Sequence, residues 1–290
     1  GGLGGYGGVG SAVRNAATAA HDITLRDNEL TRNKSMERQP VLDLSDIDNC
    51  QVVGNYIHHN VRSGGMILNE CTNSSIRGNT LVKNGGTAID YYRSHDSEIV
   101  GNTVLEHRGV HANGITVYLF SSNILVAYNT VRAGNIAFTG QESNNLTIAY
   151  NLLETPDSVY AVALWNDCDT VTFHHNTIRN LGNPGSGISS GSSNTHVVAR
   201  NNIIDGSSIR YNGGTSEYNI YTSLMWVQNA SNLGPGEIRV TDLNTLFVDP
   251  AGDYHLKAGS PAIDFGLNLG YTLDLEGYAV PAGAKPDAGA

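Results

Sequence analysis

The sequence is a repeat built around asparagine, and that repeat excludes most ways of folding the chain. The segments LRDNEL (25–30), VVGNYI (52–57), IRGNTL (76–81), IVGNTV (99–104), VAYNTV (126–131), IAYNLL (148–153), FHHNTI (173–178) and ARNNII (199–204) share a short apolar run around one Asn. Aligned, they give Asn28, Asn55, Asn79, Asn102, Asn129, Asn151, Asn176 and Asn202, spaced 22 to 27 residues apart. A near-constant period with variable connections is the mark of a solenoid, in which each repeat buries its apolar face only against its neighbours.

Each repeat carries a second short run before the Asn: SAVRNA (11–16), PVLDLS (40–45), GMILNE (65–70), TAIDYY (87–92), GITVYL (114–119), NIAFTG (135–140), YAVALW (160–165) and GISSGS (187–192). These runs alternate with period two, as half-buried strands do. The alternation predicts an inward column of Met66, Ile89, Ile115, Ile136, Val162 and Ile188. One outward column reads Arg14, Asp43, Ile67, Asp90, Thr116, Ala137, Ala163 and Ser189. The next reads Ser45, Asn69, Tyr92, Tyr118, Thr139, Trp165 and Gly191. An Asn at the bend tolerates unusual backbone and bonds to its equivalent one coil away, so the Asn column is read as structural. No stretch holds a helical period for more than two turns. The alanine-rich residues 8–20 are read as a coil, because Val13 to Asn28 repeats the strand-to-Asn offset. The expected fold is all-β: a single-domain, single-stranded parallel β-helix of about nine coils. Residues 1–206 form the coils, and 207–290 form terminal coils, long loops and a C-terminal cap.

Composition narrows function by exclusion. A net charge of −10 argues against a nucleic-acid partner, since such proteins lead with a basic face. No apolar run approaches the length of a membrane span. The three cysteines, Cys50, Cys71 and Cys168, fit no zinc spacing. They read as buried thiols, with a Cys50–Cys71 disulfide open as an alternative.

IVGNTV, IRGNTL and their relatives resemble the repeat of right-handed parallel β-helix proteins of the pectate-lyase-like superfamily, over roughly residues 8–206. The segment FVDPAGDYHLKAGSPAIDFG (247–266) is similar to the closing segment of many secreted bacterial β-helix proteins. The resemblance implies a secreted or cell-surface address, although no signal peptide is visible in the chain. It also makes the outward face of the pre-Asn strands the floor of a polysaccharide groove. Within that superfamily, AIDYYRSHDSEIVGN (88–102) is similar to the part of mannuronan C5-epimerases and alginate lyases that carries an Asp-Pro-His-Asp run. Asp90 matches the first Asp, but Tyr91, Tyr92 and Arg93 replace the rest. Aligned with the chondroitinase B-like group, Glu70 and Tyr92 stand where the catalytic Lys and Arg would be, so that dyad does not transfer.

Chemistry-bearing residues concentrate in the coils holding residues 43–118. The expected catalytic centre is Asp90, Tyr92, Arg93, His111 and Tyr118. Asp43, Asn69, Glu70, Arg108, Asn113 and Trp165 are expected to bind substrate. β-Elimination on a uronate needs a cation against the carboxylate, a base for the α-proton and a donor for the leaving oxygen. Arg93 or Arg108, His111, and Tyr118 or Tyr92 suit those roles. The expected activity is therefore that of a polysaccharide lyase on an acidic polysaccharide. Two alternatives stay open: a glycoside hydrolase using Asp43, Glu70 and Asp90, and a non-catalytic glycan-binding or spike module. Asp43, Asn69 and Glu70 also form an oxygen-rich set that suits Ca2+. Oligomeric state is not legible.

Overall fold

A computed structural model describes residues 20–33, 39–156, 158–182, 187–205, 214–222 and 233–290. The expected strand at 11–16, with Arg14, lies outside the described residues. Three parallel sheets run the length of the stack, with seven, nine and ten strands. The first sheet collects the pre-Asn strands: Pro40–Ser45, Gly64–Asn69, Ile89–Tyr92, Ile115–Tyr118, Phe138–Gln141, Val162–Leu164 and Ile188–Ser190. In every coil the chain passes from the first sheet to the second, turns at the Asn, and enters the third, so strands pair only with their equivalents one coil away. The described residues thus form a parallel β-helix. Among the described residues seven coils carry all three strands, against about nine expected, and further strands of the second and third sheets extend the stack at each end.

The ladder explains why the period is so even. The backbone N–H and side-chain Nδ2 of each Asn both donate to Oδ1 of the Asn in the next coil, at 2.8–3.0 Å, from Asn28 through Asn202 to Asn219. The second Nδ2 hydrogen reaches a strand carbonyl in the previous coil, as Asn129 does to Ile99 O at 2.9 Å. A parallel coil has no hairpin to close its corner. The buried amide therefore satisfies backbone groups that would otherwise be orphaned. The ladder ends on Glu237, a buried carboxylate that accepts from Asn219 Nδ2 and the Tyr221 hydroxyl, both at 2.9 Å. A second, shorter ladder runs through Asn33, Asn60 and Asn84 to His107 at the next corner.

The residue before each ladder Asn has positive φ. It is Gly54, Gly78 and Gly101 in three coils, where the absent Cβ makes that region free, but Tyr128, Tyr150 and His175 further on. There the side chains stack outside the corner: Tyr128 on Tyr150 with ring centroids 5.7 Å apart, and Tyr150 on His175 at 4.5 Å. The C-terminal segment covers this column. Tyr271 sets its ring edge-on against Tyr150 and His175, and its hydroxyl lies 3.0 Å from His174 Nδ1. The antiparallel hairpin Phe247–Asp249/Asp253–Leu256 docks on the third sheet, its Tyr254 ring between the guanidinium groups of Arg132 and Arg179. The Tyr254 hydroxyl donates to the carboxylate of Glu154. Among the described residues the C-terminal segment meets the second and third sheets and the corner between them.

The register of the first sheet corrects the sequence reading at one coil. Phe138, not Ile136, pairs with Ile115 and Val162 in the inward column. Thr139 therefore takes the outward place assigned to Ala137, and Gln141 the place assigned to Thr139. Both registers alternate equally well, and packing decides: the inward site takes the larger Phe138 ring, which meets Phe173 edge-on at 6.4 Å. Cys50, Cys71 and Cys168 are buried free thiols, so the possible Cys50–Cys71 disulfide is not formed. Burial pushes the Cys50 thiol up to about 12 and the Cys71 thiol up to about 11.

Replacing Asn129 by Ala removes the acceptor shared by the Asn102 backbone N–H and Nδ2, the donor to Ile99 O, and the link onward to Asn151. The expected loss is about 3 kcal/mol or more in urea unfolding. The same change at Asn28, exposed at the described end of the ladder, should cost under about 1 kcal/mol. Equal losses at the two positions would refute a ladder whose strength comes from burial.

Candidate functional site

Along the first sheet, Asp43, Ile67, Asp90, Thr116, Thr139, Ala163 and Ser189 stand in one outward column. Ser45, Asn69, Tyr92, Tyr118 and Gln141 stand in the next. Strand alternation sets this arrangement: in Ile89–Tyr92, Ile89 and Tyr91 go inward while Asp90 and Tyr92 face out. Tyr91 is fully buried and donates from its hydroxyl to Glu98 O at 3.1 Å.

The corner ladders satisfy the buried asparagine amides, but several polar groups in these columns have no such partner. The Thr116 hydroxyl and Asn69 Oδ1 are buried without hydrogen-bond partners, and the buried Thr139 hydroxyl has only the Tyr118 phenol beside it. Asp90 is half-buried, with no hydrogen bond or ion pair among the described residues. Burial pushes its carboxyl up to about 7. Tyr118 is pushed up to about 12, chiefly by burial and then by the Asp90 charge; Thr139 and Asn113 beside its hydroxyl pull the other way. Its hydroxyl therefore lies beside Thr139 and Asn113, where the Asp90 charge acts on it. A carboxyl poised near neutrality beside a phenol can exchange protons with a bound molecule.

The remaining expected residues fall into three groups. Arg93 lies at the corner after Tyr92, at a positive φ. Its guanidinium sits 4.8 Å from the Tyr92 ring centroid and 3.5 Å from Glu70, the equivalent residue one coil back. Both charges are about half exposed, so the pair is weak and open to competition. Arg108 and His111 are exposed in the turn leading to Ile115–Tyr118, and among the described residues neither side chain has a polar partner. Asn113, in the same turn, is buried and accepts from Asn135 Nδ2 at 2.9 Å. Asp43 shares the Asp90 column two strands away, about 9–10 Å at the usual strand spacing. Its carboxylate faces Ser45 Oγ at 3.4 Å. Trp165 is exposed just beyond Val162–Leu164, three coils from Tyr92, and meets Tyr160 edge-on. His107 plays no part in this surface. It is fully buried, with Nδ1 on Gly86 O and Nε2 on the Asn84 amide, and burial lowers its pKa to about 4. Thr116, Thr139 and Gln141 were not singled out from sequence. The register error hid Gln141 and put Thr139 in the wrong outward column, and a buried threonine hydroxyl carries no sequence signal.

A family model described as periplasmic copper-binding protein (NosD) matches residues 16–131. Among curated proteins none matches the chain. A solved structure of the Azotobacter vinelandii mannuronan C-5 epimerase AlgE6 A-module is similar over 81% of this chain and 87% of that one. The identity is 12% and the TM-score 0.44. QnrB1, a plasmid-mediated fluoroquinolone resistance protein, is similar over 77% of this chain and 94% of its own, with 9% identity and a TM-score of 0.22. The described residues do not fit a resident copper ion. No group of three or more His, Cys, Asp or Glu is placed to hold a metal. The His58 and His59 Nδ1 atoms lie 2.7 Å apart, but Glu29 takes the other nitrogen of His58 and no third ligand joins them. No helix among the described residues is long and apolar enough to cross a membrane.

The raised Asp90 pKa has a consequence for stability. The unfolded carboxyl loses its proton near pH 4, the folded one near 7, so ionisation works against the fold increasingly between those values. Asp90→Asn should match the parent at pH 4 and exceed it at pH 8, on the order of 1–3 kcal/mol. Urea unfolding at both pH values tests this, and a pH-independent difference would contradict the assignment.

Proposed function

We propose that the chain modifies an acidic polysaccharide laid along the outward face of the first sheet, by β-elimination centred on Asp90. The observation that carries this reading is the desolvated Asp90 carboxyl, without a hydrogen bond or ion pair among the described residues, whose charge acts on the Tyr118 hydroxyl. Ionised Asp90 takes the proton from the carbon next to the uronate carboxylate. The electron pair forms a carbon–carbon double bond, the glycosidic carbon–oxygen bond breaks, and Tyr118 protonates the departing oxygen. Arg93 exchanges Glu70 for the uronate carboxylate, and Tyr92 backs its guanidinium. His111, Arg108 and Asn113 approach from the preceding turn, and Trp165 offers a stacking platform three coils on. A Ca2+ ion on Asp43, Asn69 and Glu70 would add charge against the carboxylate. The unpartnered Asn69 oxygen supports that set, and the Glu70–Arg93 pair competes with it. A location outside the cytoplasm accords with the periplasmic family matched over residues 16–131.

Hydrolysis is the second reading, because Asp43 and Asp90 share one column at about the upper end of the carboxylate separation used by inverting glycosidases, roughly 6.5–9.5 Å. The two predict opposite pH limbs. A base at Asp90 makes kcat/KM rise as pH passes about 7, and an acid makes it fall.

The test is a screen against alginate, pectate, chondroitin, hyaluronan and neutral glycans, with Ca2+ or chelator, following near-ultraviolet absorbance and reducing ends together. New absorbance on a uronate polymer, reduced by about 10²-fold or more in Asp90→Asn and Tyr118→Phe, is the expected result. Reducing ends without absorbance would move the assignment to Asp43 and Asp90. Glycan binding without either signal would make the surface a binding module.

A further inference from the structure

A cavity of about 470 Å3 lies far from the Asp90 surface, between the third sheet, the hairpin and the C-terminal segment. Its size falls in the range that takes small organic molecules. Its charged lining is Arg132, Asp253, His255, Asp274, Glu276 and Asp287. Two of the cationic groups already have partners: Arg132 lies 3.7 Å from Glu154, and His255 is held between Asp253 and Glu276. Asp274 and Asp287 are left without a cation.

Each of those two carboxylates uses one oxygen on the backbone. Asp274 Oδ1 accepts from the N–H groups of Glu276 and Tyr278, at 3.0 and 2.8 Å. Asp287 Oδ1 accepts from Asp264 N at 2.8 Å. Among the described residues their second oxygens accept nothing. Tyr150, also in the lining, is 2% exposed, and its buried hydroxyl has no partner. Desolvation raises its pKa, and neighbouring Tyr128, Asp274, Tyr271 and Asp287 add to that. The rest of the wall is largely apolar, including Leu152, Val280 and Ala288.

We propose that this cavity binds a small organic ammonium ion, a primary amine on a short apolar body, between Asp274, Asp287 and the Tyr150 hydroxyl. The uncompensated negative charge excludes anions. The apolar walls and the lack of a three-ligand metal group among the described residues disfavour a bare cation. Recognition falls to the carboxylates because the aromatic faces are taken: Tyr150 by Tyr128 and His175, and Tyr254 by Arg132 and Arg179. This inference does not depend on the chemistry assigned to Asp90.

Titration calorimetry of the full chain at pH 8, with n-butylamine, n-butanol and CaCl2 as separate probes, tests the proposal. Butylamine should bind and butanol and Ca2+ should not. Asp274→Asn and Asp287→Asn, which keep the acceptor oxygens, should each weaken butylamine at least tenfold with unchanged circular dichroism; Tyr150→Phe should weaken it several-fold. Butanol binding as tightly as butylamine, Ca2+ displacing it, or full affinity in the folded Asp287→Asn variant would each overturn the proposal. So would the absence of butylamine heat at any concentration up to saturation of the cell.

Discussion

One interaction organises this molecule: the side-chain amide of an internal asparagine, donating to the next coil and accepting from the one before. An amide is the smallest side chain that can do both while also reaching a strand carbonyl. Parallel strands have no hairpin to hold register, so something at the corner must set the coil-to-coil offset. Here Asn28 through Asn219 does so, and the even strand pairing follows from it. A ladder that ended on an unpaired Asn219 amide would leave a buried donor exposed. Glu237 removes that problem, and Tyr221 fixes the carboxylate in place.

Much of the fold was legible because the ladder residue must recur in identity, not merely in polarity. The alternation of the pre-Asn strands gave the facing of Asp90, Tyr92 and Tyr118 correctly. It failed at NIAFTG, where Ile136 and Phe138 differ by two residues and therefore point the same way. Period-two reasoning is blind to a shift of two. The C-terminal segment was less legible in position than in existence. Its docking depends on Tyr271 meeting His174 and on Tyr254 meeting Arg132, Arg179 and Glu154, contacts 75 or more residues apart that no local pattern encodes.

The candidate site was partly legible for a related reason. Charged and aromatic residues in outward positions can be read from the alternation, which brought out Asp90, Tyr92 and Tyr118. Whether such a residue is satisfied cannot be read that way. Glu70 and Arg93 form an ion pair, His107 is locked into the second ladder, and Asp90 has no polar partner among the described residues, yet all four look equally chemical in the sequence.

That contrast gives the molecule its division of labour. A solenoid whose corners are closed by side-chain ladders has few buried polar groups to spare, so unpaired ones mark places where the ladder logic is suspended. They gather in two regions, around Asp90 with Thr116 and Thr139, and around Tyr150 with Asp274 and Asp287. The first is on a face the C-terminal segment avoids, where an extended chain can lie across several coils. The second exists only because that segment folds back over the aromatic corner and closes a cavity against it. The segment does more than protect the third sheet: its described contacts fall on the side of the stack away from the Asp90 column.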